Sequence, residues 1–186
     1  MSGNFVSRAG DKLEHALHEF GLDVKDLVCA DLGCSTGGFT DCLLKHGASR
    51  VYSVDTGYGV LDWHLRQNPD VKVMERTNAL HVLLPEPVSF ISIDVGWTRQ
   101  KLILPHALTL LSPKGGDIVS LVKPHYEADR NQLRHGQVIP DQVELILAKV
   151  ISQLKEQGIS VEGKTVSPVL GEKGKNIEYL IWIHRG

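Results

Sequence analysis

A glycine-containing loop lies between an apolar run and an amphipathic segment in the first quarter of the chain. It belongs to the stretch 29–38, and its glycines are Gly33, Gly37 and Gly38. Glycine lets a backbone pass close to a ligand, and a helix that begins there offers free N–H groups and a partial positive charge. The spacing differs from the GxGxxG pattern of dinucleotide sites. The loop therefore indicates a small-molecule site of another kind.

Three polar residues near the predicted strand ends indicate which groups that molecule carries. Asp31 precedes the first glycine, where a carboxylate would repel a pyrophosphate and attract an ammonium group. Asp55 ends the next apolar run, roughly 20 residues on, where it can accept both hydroxyls of a ribose. Asn78 follows the third run and can bond an adenine edge. Together they predict an S-adenosylmethionine site, the alternative being a helix-capping loop with two ordinary strand-end aspartates.

The elements that must position these residues alternate between apolar runs and helical patterns. We predict strands over 27–32, 51–54, 71–74, 88–93, 117–122, 160–167 and 177–183, and helices over 36–46, 99–111 and 140–157. Such alternation favours a parallel sheet with helices on both faces. The connection 168–175 is too short for a helical crossover, so the last two strands should pair antiparallel. The prediction is an α/β, Rossmann-like fold of the class I methyltransferase type, with a mostly parallel seven-stranded sheet and an antiparallel C-terminal strand.

Six motifs make the chain recognisable. They are SRAGDKLE at 7–14, DLGCSTGGFTDCLL at 31–44, VDTGYG at 54–59, MERTN at 74–78, IDV at 93–95 and LVKP at 121–124. Over nearly the whole chain the sequence resembles the hemolysin A-like branch of the FtsJ-type RNA methyltransferases. The resemblance implies an S-adenosylmethionine-dependent enzyme that methylates a ribose 2′-hydroxyl of ribosomal RNA, with a cytidine as the acceptor.

The resemblance also implies site residues. A Lys-Asp-Lys-Glu catalytic set falls on Lys12, Asp94, Lys123 and Glu178. The donor site is assigned to Asp31, Gly33, Ser35, Gly37, Gly38, Phe39, Asp55, Asn78 and Asp94. The residue pattern agrees with this set, because Lys12 lies on an opening helix whose apolar positions recur with helical spacing. Asp94 and Lys123 each follow a predicted parallel strand, at the edge where such sheets bind ligands.

The chemistry of the four catalytic candidates follows from general principles. Attack on a sulfonium methyl requires the ribose hydroxyl to lose its proton, and a lysine accepts a proton only when its pKa is far below the usual ~10.4. A neighbouring ammonium and a water-poor pocket both lower a lysine pKa. We therefore expect Lys12 and Lys123 to lie together, with Asp94 and Glu178 orienting them. Taken alone, a strand-end lysine is more often a surface residue.

Composition limits the remaining classes. A chain of 186 residues, 42% of them hydrophobic, suits one domain, which we assign to residues 1–186. There is no run of about 20 apolar residues and no signal-peptide pattern at the start, so we expect a cytoplasmic protein without a membrane partner. The three cysteines lack CxxC spacing and the nine histidines lack ligand spacing, so we expect free thiols and no metal site.

The acceptor side departs from the family in two ways. Relatives carry a small S4 RNA-binding domain before the region that begins at Phe5, and we expect this chain to represent the catalytic domain without it. Residues 96–99 read Gly-Trp-Thr-Arg, where relatives have Ser-Phe-Ile-Ser. Trp97, His125 and Tyr126 follow the two strands that carry Asp94 and Lys123, and aromatic rings there can stack a base. Packing or surface roles are equally compatible with all three.

RNA binding by a chain of net charge −2 requires a local basic surface. The candidates are Arg8, Lys12, Arg99, Lys101, Lys123, Arg130, Arg134, Lys173 and Lys175. The stretch 127–137 is predicted to be a mobile loop that closes over a substrate. The alternatives are methylation of a small molecule, donor binding without catalysis, and a cytolysin. The last is disfavoured, since no amphipathic arm is predicted.

Overall fold

The seven predicted strands form one sheet. A computed structural model of the chain describes residues 4–171 and 176–186. The strands of the main sheet are β1 (Val28–Leu32), β2 (Arg50–Val54), β3 (Val71–Met74), β4 (Phe90–Ile93), β5 (Gly116–Val122), β8 (Gly163–Val166) and β9 (Tyr179–Arg185). Their spatial order is β3-β2-β1-β4-β5-β9-β8. The first five are parallel, whereas β9 runs antiparallel to both β5 and β8. The predicted sheet and its antiparallel ending are confirmed.

Helices cover both faces of this sheet, as predicted. They are α1 (Ala9–Phe20), α2 (Gly38–Lys45), α3 (Trp63–Gln67), α4 (Gln100–Leu110), α5 (Pro124–Glu127) and α6 (Val143–Glu156). Successive strand residues point to opposite faces. Cys29 accordingly packs in one apolar cluster with residues of α1 and α2, while Ala30 packs in another with residues of α4 and α6. The alternation along β1 therefore divides the core into two layers.

The opening helix follows its apolar spacing. Leu13, Ala16 and Leu17 of α1 are buried, and Gly21 ends the helix in a left-handed conformation with φ +65°. Glycine is the usual residue at such an end, because it has no Cβ to strain. The buried stripe fixes how α1 lies on the sheet, and Lys12 belongs to the same buried face.

Helix α4 contains a proline and compensates for it. Pro105 has no N–H, so the carbonyl of Lys101 loses its partner within the helix. The side-chain amide of Gln157, which follows α6, donates to that carbonyl at 3.2 Å. The helix predicted over 99–111 is confirmed by α4, which spans Gln100–Leu110.

The sequence pattern did not predict the short elements of the fold. Helix α3 has five residues, too few for apolar periodicity, and begins where Asp62 accepts a hydrogen bond from the His64 amide. The stretch 127–137, predicted as a mobile loop, holds a 3₁₀ turn at Arg130–Gln132 and most of a hairpin between β6 (Leu133–Arg134) and β7 (Gln137–Val138). The hairpin turn, His135–Gly136, has two positive φ angles, the combination that suits the twist of a tight hairpin.

Candidate active site

A cavity of about 550 Å³ opens at the carboxyl ends of the parallel strands. One part of its wall follows β1, β2 and β3 and consists of residues 33–36, 54–56 and 77–80. Another part follows β4 and β5 and includes residues 94–98, Lys123, His125 and Tyr126. Residues 7–9 and Lys12 near the N-terminus, and 169–171 and Glu178 near the C-terminus, complete it. Its size falls within the range of about 300–1,000 Å³ that is usual for small-ligand sites.

Backbone geometry shapes the wall that follows β1 and β2. Gly33 has φ +89°, and a Cβ there would lie 2.5 Å from the Asp94 carbonyl oxygen. The Ser35 amide donates to Asp55 Oδ2 at 2.8 Å, and the Gly57 amide donates to Asp55 Oδ1 at 2.7 Å. Each carboxylate oxygen keeps a second lone pair that can accept a ligand hydroxyl. Asp55 is therefore a fixed acceptor on the cavity wall.

Two further assigned residues also lie on this wall. Phe39, the second residue of α2, is buried and contributes to the cavity. Asn78 is exposed there, and its side-chain oxygen accepts from the Leu80 amide at 3.0 Å. That hydrogen bond orients the amide group, which can then bond the edge of a planar ligand.

Asp31 is not among the residues that line the cavity, and its assignment to the donor site stays a prediction. It is fully buried on β1, where Oδ2 accepts from the Thr40 hydroxyl at 2.7 Å and Oδ1 accepts from the Ser92 hydroxyl at 3.2 Å. Burial raises the pKa of this carboxyl to about 7, and the two hydroxyls lower it only in part. Asp31 supports the loop from behind, because its position on β1 points it into the interior.

Gly37 and Gly38 also lie behind the wall. A Cβ at Gly37 would collide with the side chains of Leu65 and Leu61, and one at Gly38 would collide with Ser7. These two glycines allow other segments to pack closely against the start of α2. Protein side chains make the close approach at these two positions, and the assignment of Gly37 and Gly38 to the donor site stays a prediction.

The four catalytic candidates line one cavity as two ion pairs. Lys12 Nζ donates to Glu178 Oε2 at 2.6 Å, and both side chains are at most one-tenth exposed. Lys123 Nζ lies 2.5 Å from Asp94 Oδ1 and donates to the Val95 carbonyl at 3.3 Å. The contact between Lys123 and Asp94 is an ion pair. The fold thus brings the N-terminal helix and the last strand together at one edge of the sheet.

Three rings form the rim next to Lys123. The Trp97 and Tyr126 ring centroids are 4.8 Å apart, and those of His125 and Tyr126 are 4.1 Å apart. Trp97 is 81% exposed and has a left-handed φ of +60°, which is rare for a bulky residue. Desolvation and the charge of Lys123 lower the pKa of His125, so its imidazole is uncharged at neutral pH.

A buried polar network behind this rim was not predicted. The Gln100 amide at the start of α4 donates to Glu127 Oε1 at 2.7 Å. The Gln100 side chain donates to the Leu121 carbonyl and accepts from the Ser120 hydroxyl. These bonds join the segment after β4 to the segment after β5. No sequence signal connects Gln100 with Glu127, since they belong to different elements and neither lies in a recognised motif.

The basic candidates divide into three sets. Arg8, Lys12 and Lys123 line the cavity. Four others are not among the lining residues: Arg99 caps the start of α4, Lys101 lies on α4, and Arg130 and Arg134 lie between α5 and β7. Lys173 and Lys175 fall outside the described residues.

Residues 4–171 and 176–186 contain neither a membrane-spanning helix nor a metal-binding cluster. No helix in those ranges is both long and apolar enough to cross a bilayer. Likewise, the described part of the chain brings together no group of three His, Cys, Asp or Glu side chains that could hold a metal ion. Its three cysteines are buried free thiols.

Comparisons with known proteins agree with the motifs. Hemolysin A of Brachyspira hyodysenteriae is 41% identical over 95% of this chain and 75% of its own length. The 16S/23S rRNA (cytidine-2′-O)-methyltransferase TlyA of Mycobacterium tuberculosis is 40% identical over 96% of this chain and 68% of its own length. The solved structure of a protein described as a hemolysin, from Streptococcus thermophilus, superposes with a TM-score of 0.93 at 40% identity. It covers 100% of this chain and 68% of that protein.

The chain spans between 66% and 75% of the length of these and other curated relatives. The family model of the FtsJ-like methyltransferases matches residues 5–185, which is almost the entire chain. The resemblance inferred from the six motifs is therefore confirmed. On this match and on the identity to its relatives, the chain belongs to the FtsJ-like methyltransferase family.

Proposed function

We propose that this chain uses S-adenosylmethionine to methylate a ribose 2′-hydroxyl of RNA, with a cytidine of ribosomal RNA as the acceptor. The observation that carries the proposal is the presence of two lysine–carboxylate pairs beside the glycine loop in one cavity. The relative named a 16S/23S rRNA (cytidine-2′-O)-methyltransferase supports the choice of acceptor. A ribosomal substrate would place the activity in the cytoplasm.

The residues around the glycine loop fit the proposed donor. Asp55 is held by two backbone amides and keeps lone pairs that can accept ribose hydroxyls. Asn78 lies on the same wall, where it can bond the adenine edge. Gly33 lets the loop pass close to the backbone after β4, because a Cβ at this position would collide with the Asp94 carbonyl. When bound, S-adenosylmethionine supplies an electrophilic methyl group on a sulfonium.

Lys123 is the proposed general base. S-adenosylmethionine would supply the methyl group to the ribose oxygen and leave as S-adenosylhomocysteine. Lys123 would take the proton that the ribose oxygen loses, once its own ammonium, paired with Asp94 in the structure, has given a proton to solvent. Asp94, 2.5 Å from Lys123 Nζ, stabilises that ammonium. Lys12, held by Glu178, is placed to contact the attacking oxygen.

Most of the rate increase would come from the positioning of the two reacting groups. Holding a nucleophile and an electrophile in line can lower a reaction barrier by about 7–11 kcal/mol. A base normally adds a factor of about 10² to 10⁴. Since Lys12, Asp94, Lys123 and Glu178 arise from four different segments, the fold is what holds them on one cavity wall.

The acceptor can be tested directly. The protein is incubated with methyl-labelled donor and either ribosomal subunits or a small-molecule extract, and the RNA is then digested to nucleosides. We expect label in 2′-O-methylcytidine, absent when boiled protein is used. Label found only in the small-molecule fraction would contradict the RNA acceptor and support the small-molecule alternative. No transfer, with donor binding retained in calorimetry, would indicate a binding protein.

A further inference from the structure

Glu127 is a buried carboxyl that the proposed chemistry does not use. It is 4% exposed and is not among the residues that line the cavity. Burial raises the pKa of this carboxyl, and the surrounding hydrogen bond and positive charges lower it only in part. Burying a carboxyl costs stability, and carboxyls in such surroundings are concentrated near functional sites. Its contacts therefore indicate what it does.

Glu127 lies beyond the point where two neighbouring strands stop pairing. The pairing of β4 with β5 ends at Ile93 and Ser120. From there the chain continues from β4 into α4 and from β5 into α5. Asp94 and Lys123 both lie in these continuing stretches, past the last paired residues. The ladder between β4 and β5 therefore does not by itself set the distance between the two side chains.

Three hydrogen bonds join the two stretches behind the cavity. The backbone amide of Gln100, the first residue of α4, donates to Glu127 Oε1 at 2.7 Å. The Gln100 side chain accepts from the Ser120 hydroxyl at 2.7 Å and donates to the Leu121 carbonyl at 3.0 Å. All four residues are at most 4% exposed. Hydrogen bonds excluded from water in this way are strong, so they can hold the two stretches at a fixed distance.

The proposed base lies on the same turn as Glu127. Lys123 is the residue before α5, and its carbonyl accepts from the Tyr126 amide at 2.9 Å. Since α5 has only four residues, a displacement of Glu127 is passed to Lys123 through one helical turn. Asp94 lies on the other stretch, which ends at Gln100. The bond between Glu127 and Gln100 thus links the two partners of the pair, whose charged atoms are 2.5 Å apart.

We propose that Glu127 is a positioning residue, which sets the distance between Lys123 and Asp94 by bonding the first amide of α4. The inference rests on the proposed function, in which Lys123 is the base. Glu127 acts through Lys123 and is not itself catalytic. The role requires only an acceptor oxygen, because a backbone N–H can donate to a carboxylate, a protonated carboxyl or an amide oxygen.

Two substitutions of Glu127 test this role on the RNA that the wild-type protein methylates. Glu127→Ala removes the acceptor oxygen, whereas Glu127→Gln keeps one in its place. A shift of about 1 Å in a reacting group can cost about 10²-fold in rate, so we expect Glu127→Ala to lower kcat about 30-fold. The RNA KM and the donor Kd should stay within about 3-fold of wild type, and kcat of Glu127→Gln within about 5-fold.

A matched control removes a carboxylate network elsewhere in the sheet. Glu86 accepts from Arg50 at 2.5 Å and from Tyr52 at 2.7 Å, beside the amino end of β2 and away from the cavity. We expect Glu86→Ala to leave kcat unchanged, although it loses as many bonds as Glu127→Ala. Urea unfolding of each variant shows whether it is folded under the assay conditions.

A further variant keeps the test decisive if Glu127→Ala does not fold. Gln100→Met removes the bonds to Ser120 and Leu121 in a side chain of similar length, and its backbone amide can still donate to Glu127. We expect it to lower kcat about 5-fold, with the RNA KM and the donor Kd again within about 3-fold of wild type.

The outcomes separate this inference from the proposed function. A wild-type protein that methylates no RNA would overturn both. If wild type is active and the folded variants Glu127→Ala and Gln100→Met keep its kcat, only the positioning role is wrong. Equal losses of kcat in Glu127→Ala and Glu127→Gln would show that the acceptor oxygen is not what matters, which also overturns it. A loss confined to the RNA KM or the donor Kd would assign Glu127 to binding instead.

Discussion

The two sides of the cavity differ in construction: backbone groups shape one side, and paired side chains shape the other. On the side proposed to bind the donor, Gly33 approaches the neighbouring backbone, and Asp55 is held by the amides of Ser35 and Gly57. On the side proposed to bind the acceptor, the contacts join side chains: Lys12 pairs with Glu178, 166 positions away, and Lys123 pairs with Asp94. Bonds to the backbone thus fix the first side, whereas two ion pairs between side chains fix the second.

This difference indicates how the site can change during evolution or engineering. A wall made by backbone conformation tolerates few substitutions, because each one must keep the same φ angle and the same space. A wall made by side chains can change one residue at a time while the sheet stays intact. Residues 96–98, which belong to the segment that we expect to depart from the family pattern, line the side proposed to bind the acceptor. We therefore expect donor identity to be conserved and acceptor identity to vary.

Substitution of the proposed base should give the largest effect. Lys123→Ala is expected to lower kcat about 10³-fold, since a positioned base contributes about 10² to 10⁴. Donor binding should change less than about 3-fold, because Lys123 lies on the acceptor side. Single-turnover transfer and calorimetry measure the two quantities. Lys114→Ala, at an exposed turn, is the control. Near-normal turnover in Lys123→Ala would remove this lysine from the role of base.

Alteration of the backbone-built wall should give the next largest effect. Gly33→Ala combines a left-handed φ of +89° with a Cβ 2.5 Å from the Asp94 carbonyl oxygen. Gly21→Ala has a similar strain, φ +65°, but nothing within 4 Å of its Cβ. We expect the control to lose about 1 kcal/mol of stability. Gly33→Ala should lose about 2–3 kcal/mol and weaken donor binding at least about 10-fold.

Urea unfolding and calorimetry on both glycine variants check this expectation. Strain alone would make the two variants equally unstable and leave donor binding intact. That result would contradict the close approach as the reason for glycine at position 33.

The smallest expected effect concerns the support behind the donor wall. The folded-state pKa of Asp31 is raised to about 7, above its unfolded value of about 3.9. Between these values the folded state keeps a proton that the unfolded state has lost. The contribution of Asp31 to stability is therefore full below about pH 4 and falls as pH rises to about 7, by at most about 1.4 kcal/mol per pH unit.

Asp31→Asn should remove this slope while keeping polar partners for Thr40 and Ser92. Urea unfolding at pH 5 and pH 8 gives the comparison, with Asp70→Asn, an exposed aspartate before β3, as the control. We expect the difference in stability between the two pH values to be smaller in Asp31→Asn than in wild type and the control. Identical differences in all three proteins would show that Asp31 does not titrate in this range.

Local patterns in the sequence determined the sheet, the helices on both faces and the position of the cavity. Period-two and period-3.6 patterns act over a few residues, and the carboxyl ends of parallel strands meet at one edge wherever such patterns alternate. The motifs around Asp31, Asp55, Asp94 and Lys123 lie at those ends, so the candidates could be named from the sequence. Gly33 and Asp55 line the cavity for the same reason, and their role in donor binding stays a prediction.

Only the tertiary structure decided which candidates face the cavity and which support it. Asp31, Gly37 and Gly38 share the motif with Gly33. The Asp31 side chain is nevertheless buried, and a Cβ at Gly37 or Gly38 would collide with Leu65 or Ser7, respectively. The Gln100–Glu127 link has no local signature either. Such features depend on contacts between segments far apart in the chain. Their geometry is fixed when the layers pack, because a side chain's partners are then set by space and no longer by sequence spacing.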